Sequence, residues 1–341
     1  MLFSVLIPLY NAEKYIAECL DSILCQSFHD YEIVIVDDGS TDNSGFIADF
    51  YQKKYPEIIR IVHKKNSGVL LTRRIAIREA KGDYIIWVDS DDVIKPNLLE
   101  TLYQQIQTNH PDLIIYNFEV LQDPEKIFHS LPISGDCVIE TAQKDILYRQ
   151  LLLGRDMNEL VTKCTKRSLI DVDADYSLVA HVRMGDDLFC LLPIIDAANT
   201  VVYIDNSFYR YRMVSTSITH TNSFKCYPSY RTIFEREDRY IEKWFPADSD
   251  RDAVRDIFAN RVIDCIVQCA NTRKMRIKDY LTFVQKIRKD ETNNPIFSKG
   301  DRKLPSRVYQ IYYRLFLKKH DLRLFYLIKL VSCISAIKRH K

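Results

Sequence analysis

The segments EIVIVDDGSTDNS (32 to 44) and AKGDYIIWVDSDD (80 to 92) decide how this chain reads, because each carries a strand-like apolar run straight into clustered carboxylates. Tyr31 to Val36 runs into Asp37-Asp38-Gly39-Ser40, and Tyr84 to Val88 into Asp89-Ser90-Asp91-Asp92. Charges crowded at the end of a buried strand repel one another and lose hydration. They persist where a cation or a ligand's hydrogen-bond donors offset that penalty. The pairing points to a divalent metal carrying a phosphorylated ligand.

Around these segments the first 120 residues alternate short β-rich runs with helical periodicity. Strands are expected at Phe3 to Ile7 (stopped by Pro8), Tyr31 to Val36, Ile58 to Val62, Tyr84 to Val88 and Leu113 to Val120. Helices are expected at Glu13 to Leu24, after a cap at Ser40 or Thr41, at Val69 to Ala80 and at Leu98 to Gln107. Such alternation implies an α/β fold with a mostly parallel sheet flanked by helices on both faces. Ligands of such sheets bind outside the carboxyl ends of the strands, where Pro8-Leu9-Tyr10-Asn11, Asp37-Asp38 and Asp89 to Asp92 all fall. From about 121 to 220 the pattern weakens into short mixed elements. From about 228 it is helical, with helices near 228–245, 251–271, 277–289, 305–319 and 321–338.

Asp89-Ser90-Asp91 lets alternate carboxylates reach one side of a strand end, and hard oxygen ligands suit Mn²⁺ or Mg²⁺. Alone, such a triplet reads as a solvated turn capping the next helix. After four apolar residues, and beside a second acidic strand end, it reads as a site. The 37–42 segment holds three acids where a helix cap needs one, and two adjacent carboxylates can accept a base's N–H and ribose hydroxyls. There is no Gly-x-Gly-x-x-Gly and no Gly-x-x-x-x-Gly-Lys. His63, His110, His129, His181 and His220 lie singly, without ligand-spaced partners.

The nine cysteines form no Cys-x-x-Cys pair, so reduced thiols are expected, as in a cytosol. The N-terminus reads as a first strand rather than an export signal, and no run of about 18 uncharged apolar residues suggests a spanning helix. The formal net charge of +2 hides an asymmetry. Residues 302 to 341 carry eleven Lys and Arg against Asp321 alone, while residues 1 to 301 carry 37 bases and 45 acids. No nucleic-acid partner is expected. The tail, with Val308, Ile311, Tyr312, Leu315, Phe325, Ile328, Val331 and Ile334 among its bases, has the makeup of helices lying in an anionic membrane surface. The alternative is packing on the acidic domain or on a second subunit of a homodimer.

The segments SVLIPLYNAEKYIAECLDSIL (4 to 24), EIVIVDDGSTDNS (32 to 44), NSGVLLTRR (66 to 74), AKGDYIIWVDSDD (80 to 92), GDDLF (185 to 189) and YRYRMVSTSIT (209 to 219) together resemble family 2 glycosyltransferases with the GT-A fold, in the family's order. The resemblance implies a catalytic domain over 1–220, with a nucleotide-sugar half (1–120) and an acceptor half (121–220), followed by a helical region over 221–341 with its basic tail. It places Pro8, Tyr10 and Asp38 against the uracil of a UDP-sugar, with Asn11, Asn66 and Ser90 in the same donor-side set. It makes Asp89 the ribose- or metal-side carboxylate, Asp91 the metal ligand, Arg73 a donor-pocket arginine, and Arg212 and Ser217 the element closing over the diphosphate. Asp187 matches the catalytic base, with Asp186 where the family more often has Glu. The sequence departs from the family at Arg74 and Ala76, where Asn and Gly are usual. The Gln-x-x-Arg-Trp of processive synthases is absent, which favours addition of one hexose or N-acetylhexosamine to a glycan acceptor, lipid-linked or protein-bound. Low Gly and abundant Ile, Lys and Tyr suggest a bacterial source and surface-polysaccharide or glycoprotein work, by an enzyme in the cytoplasm or on the inner face of the cell membrane. The alternatives are a non-catalytic glycosyltransferase-like scaffold and a sugar-nucleotide pyrophosphorylase; the latter needs a Gly-rich phosphate loop after the first strand, which Pro8 to Asn11 is not.

Overall fold

A computed structural model describes residues 1–154, 156–214, 224–291, 294–298 and 302–339. Ten strands form one sheet: β1 (Phe3–Leu9), β2 (Tyr31–Asp37), β3 (Ile59–His63), β4 (Tyr84–Trp87), β5 (Val93–Ile94), β6 (Leu113–Val120), β7 (Asp123–Phe128), β8 (Cys137–Glu140), β9 (Lys163–Lys166) and β10 (Thr200–Tyr211). Their order is β3-β2-β1-β4-β9-β6-β10-β5, with β7 on β6 and β8 on β10. Helices α1 (Ile16–Leu24), α2 (Ser44–Lys54), α3 (Val69–Glu79), α4 (Leu98–Asn109), α5 (Asp145–Arg149) and α6 (Asp186–Ala197) are interleaved with the strands.

The expected parallel sheet is its β3-β2-β1-β4 half. Beyond β4 it turns mixed: β9 runs antiparallel to both β4 and β6, and only β6 and β10 pair in parallel. All seven residues of β2 are buried, as a strand sandwiched between helical layers requires. Pro8 does not stop β1, which pairs through Leu9. Leu6 directs its carbonyl to Val88 and Leu9 directs its own to Asp38, so Pro8 would direct its missing N–H toward β4. The β1–β4 ladder has already ended there, at Leu6 and Trp87.

Helix α2 starts at Ser44, later than a Ser40 or Thr41 cap would place it. The hydroxyl of Ser40 donates to Asp37 and the amide of Thr41 to Asn11, so both residues serve the loop. The weakly patterned stretch after residue 120 ends in two long elements, α6 and β10.

The chain divides into two units, 1–217 and 218–341. In the second unit α8 (Asp248–Asn271) packs against α7 (Tyr227–Trp244), α9 (Ile277–Asp290), α10 (Arg307–Leu317) and α11 (Asp321–Arg339). Phe234 stacks on Phe258 at 4.1 Å between ring centroids, and Tyr280 meets Phe325 at 4.9 Å. Among the described residues no helix is long and apolar enough to cross a membrane.

Candidate active site

Two loops at the carboxyl ends of β1 and β2 are stapled together. Asn11 takes a left-handed backbone (φ 50°), its amide donates to the Ser40 hydroxyl at 3.1 Å, and its side-chain oxygen accepts from the Thr41 amide at 2.8 Å. Asp37 accepts the Ser40 amide at 2.9 Å on one oxygen and faces His63 Nδ1 at 2.9 Å with the other. Asp38 is buried and accepts the amides of Ser67 at 2.7 Å and Gly68 at 2.9 Å, together with the Lys64 ammonium. It therefore clamps the loop leading into α3, and one acceptor site remains on its Oδ2. Gly39 holds φ +70° where a Cβ would lie 2.9 Å from the Asn66 amide, so only glycine lets the two loops approach this closely. Pro8 is half-buried, and Tyr10 and Asn66 are exposed.

The second cluster centres on Arg73, buried on α3. Its guanidinium donates to Asp186 at 2.5 Å and to Asp187, lies 3.6 Å from Asp89, and sits 5.6 Å from the centroid of the Trp87 ring. Gly185, at φ +80°, turns the chain so that α6 begins with Asp186 and Asp187, where the helix N-terminus favours acids. Asp187 also accepts the Leu160 amide at 3.3 Å. Burial opposes the charge of Arg73, but the fields of Asp187, Asp186 and Asp89 outweigh it and raise its pKa. Asp89 keeps 38% of its side-chain surface open to the crevice. Desolvation by the surrounding walls nonetheless pushes it up to about 7 against the pull of Arg73, with Asp187, Asp91 and Asp186 adding to the rise. Burial also raises Asp186, against the same arginine.

The acidic loop after β4 is held from the other side by β10. The Tyr209 hydroxyl donates to Asp92 at 2.5 Å, and the Arg212 amide donates to its other oxygen at 2.7 Å. Arg212 Nε donates to the Asp91 carbonyl at 2.8 Å and its guanidinium reaches Glu18 at 2.6 Å. Ser90 is buried. Asp91 is raised by burial, with Arg212 opposing. The structure thus brings Arg73, Asp89, Asp186 and Asp187 together and sets Asp91 and Arg212 beside them. Ser217 and His220 lie outside the described residues.

Several participants had no role assigned from the sequence. Lys163 is fully buried on the central strand β9, its ammonium donating to the Met157 carbonyl at 2.8 Å and the Thr162 hydroxyl at 2.7 Å. Burial pulls it down to about 8, against the fields of Glu159 and Asp187. It fastens the 157–163 turn whose Leu160 amide meets Asp187. Asp92 and Tyr209 bind the acidic loop to β10. His63 is not solitary: Asp37 and Asp49, the latter 3.0 Å from Nε2, hold the imidazole between them and raise its pKa. Signals existed only for Asp92, as the last acid of the DSDD run, and for Tyr209, in the YRYR segment.

Among the described residues no three His, Cys, Asp or Glu side chains are gathered into a metal cage. Asp89 and Asp91 are two carboxylates, both raised by burial, whose charges lack full compensation. That donor set fits a hard divalent ion that takes its remaining ligands from phosphate and water.

Residues 4–178 match the sequence profile of the family described as glycosyl transferase family 2. The chain belongs to this family. Glycosyltransferase GlyG of Streptococcus pneumoniae serotype 4 is 32% identical over 283 residues, covering 81% of this chain and 85% of that protein. The poly(ribitol-phosphate) beta-N-acetylglucosaminyltransferase TarS of Staphylococcus aureus is 31% identical over 219 residues, 61% of this chain but only 35% of TarS. The crystal structure of S. aureus TarS 1–349 in complex with UDP-GlcNAc matches 97% of this chain and 92% of that one, at TM-score 0.65 and 20% identity. This family 2 glycosyltransferase therefore shares the GT-A fold with TarS. Its departures from the family pattern take definite places. Ala76 is fully buried on α3. Arg74 is buried with its guanidinium 4.7 Å from the Tyr176 ring centroid, and its Nε and Nη2 find no hydrogen-bond partner among the described residues.

Proposed function

We propose that this glycosyltransferase moves one hexose or N-acetylhexosamine from a UDP-sugar to a glycan acceptor, with inversion, in surface-polysaccharide or glycoprotein-glycan synthesis in the cytoplasm. The observation that carries this reading is the Arg73 cluster. One buried guanidinium gathers the carboxylate at the end of β4 and both carboxylates at the start of α6, so donor-side and acceptor-side acids meet in one crevice. The UDP-GlcNAc bound by TarS supports the donor class. Among the described residues no two cysteines are joined in a disulfide.

On this reading the stapled loops of β1 and β2 hold the nucleoside, Pro8 and Tyr10 flanking the uracil and Asp38 using its remaining acceptor site. Asp187 takes the proton of the attacking acceptor hydroxyl while the new C–O bond forms at the anomeric carbon and the bond to UDP breaks on the opposite face. General-base help of this kind is worth roughly 10²- to 10⁴-fold. Arg73 and the Leu160 amide fix the orientation of Asp187, and Arg212 closes over the donor's diphosphate. A Mn²⁺ or Mg²⁺ ion held by Asp91 and Asp89 would neutralise charge building on the departing diphosphate.

The test is a panel of UDP-sugars scored for slow hydrolysis with Mn²⁺, followed by mass spectrometry of products on candidate glycan acceptors. Hydrolysis of one UDP-hexose or UDP-N-acetylhexosamine above the rest is expected. Turnover of GDP- or CMP-sugars alone would reject the donor assignment.

A further inference from the structure

Helix α11 is apolar on two opposite faces. Leu324, Phe325 and Ile328 are buried inside the helical unit. On the other side Leu322, Tyr326, Leu330 and Ile334 recur every four residues and are 50%, 59%, 57% and 46% exposed. Residues spaced by four drift slowly around a helix, so these side chains form one continuous stripe, about 18 Å long at 1.5 Å per residue. A helix apolar all round is normally enclosed. Val308 and Ile311 of α10 are exposed as well.

This corrects the expectation for the tail in detail. Tyr312, Phe325 and Ile328 belong to the core, and Arg302 is consumed by ion pairs with Asp252 at 3.0 Å and Asp256 at 3.3 Å. Of the expected apolar residues Val308, Ile311 and Ile334 are exposed; the outward stripe of α11 adds Leu322, Tyr326 and Leu330, and it is bordered by Arg323 and Lys329 and preceded by Lys318 and Lys319.

We propose that the outer face of α11 seats this protein in an anionic lipid interface. Charge selects this occupant over two-fold pairing of this face with itself. Two-fold pairing would set the same stripe and the same bases against themselves. The tail's single acid, Asp321, is paired with Arg288, so it offers such a dimer no compensation. A lipid interface supplies both what the leucines need and what the lysines and arginines need, and a helix of this kind lies in it without crossing. The inference is independent of the donor and metal assignments.

The experiment is co-sedimentation of the full chain with phosphatidylcholine vesicles, with and without roughly a third phosphatidylglycerol. The wild type is expected on the anionic vesicles only, with binding falling as salt rises. Tyr326→Glu/Leu330→Glu is expected to weaken partitioning at least roughly tenfold while its unfolding midpoint and hydrolysis of free UDP-sugar stay unchanged. Should that variant melt early, Leu330→Gln and Arg323→Gln, each removing one contact at an exposed position, give the same readout with smaller steps. Wild-type binding by these variants, equal binding to neutral vesicles, or no binding by the wild type would overturn the proposal. So would a wild-type dimer that the variant dissolves without any vesicle binding, which would give the face to a second copy.

Discussion

The crevice of the sheet unit and the outer face of α11 in the helical unit carry opposite anomalies. The sheet unit buries charge: Arg73, Lys163 and Asp92 lie within it, and Asp89 and Asp186 line a crevice that raises their pKa values. The outer face of α11 does the reverse and leaves Leu322, Tyr326 and Leu330 in water. Each arrangement costs free energy in the isolated chain, and each is relieved by a different visitor. Buried charge is relieved by a cation and a polar ligand, and exposed hydrocarbon by an apolar surface. Substitutions in the first unit should therefore strike chemistry and folding together, whereas those on the outer face of α11 should spare both.

The largest break is expected at Arg73. Arg73→Met leaves Asp89, Asp186 and Asp187 without their shared cation. Turnover should vanish, and urea denaturation should show a stability loss of about 3–5 kcal/mol, the usual cost of stripping one partner from a buried ion pair. A variant that folds normally and turns over within a few-fold of wild type would show that the cluster does not organise the site.

Next come the two acids given separate tasks. Asp187→Asn should lower turnover by roughly 10²- to 10⁴-fold while UDP binding by calorimetry is unchanged, because an amide cannot accept the acceptor's proton. If activity survives, Asp186 is the next candidate for the base. Asp91→Ala should remove both turnover and Mn²⁺-dependent UDP binding; full wild-type activity in excess EDTA would sink the metal assignment.

A smaller effect is expected from Lys163, whose folded pKa of about 8 lies below its unfolded value near 10.4. Between those values the unfolded chain binds more protons, so this group's contribution to stability rises with pH. Wild type should therefore gain on Lys163→Met in urea midpoint as pH climbs from 8 to 10. A flat difference would mean the ammonium is not desolvated as described. The smallest effect belongs to His63, half exposed between Asp37 and Asp49. Its raised folded pKa gives a contribution fully present below about pH 6.5 and lost as pH rises through the folded value. The stability difference between wild type and His63→Gln should shrink from pH 6 to pH 8, and its absence would detach His63 from the Asp37 loop.

Much of the sheet unit was legible because its signals are local. The runs that became β1, β2, β4 and β6 are predominantly apolar stretches, and the helices between them show their buried stripes at the right period. Legibility failed where pairing rather than period sets the structure. Lys163 sits in a polar-looking VTKCTK segment, yet it is fully buried because β9 wedges between β4 and β6. The Asp123–Phe128 strand is exposed throughout and forms because the Phe118–Val120 end of β6 runs beyond its pairing with β9. Arg73 and Asp187 stand 114 positions apart, and no spacing rule joins them.

By itself the sequence determined that carboxylates stand at the ends of β2 and β4, since strand length and alternation are properties of a few neighbouring residues. It also determined that the tail is basic and helical. Tertiary structure alone decided which base answers which acid, as when Arg73 takes Asp186 and Asp187 while Arg212 takes the Asp91 carbonyl and Glu18. It alone decided which face of α11 is covered, because both faces are apolar and a period of 3.6 cannot rank them. Only the packing of Phe325 against Tyr280 turns one face inward and leaves the other to solvent.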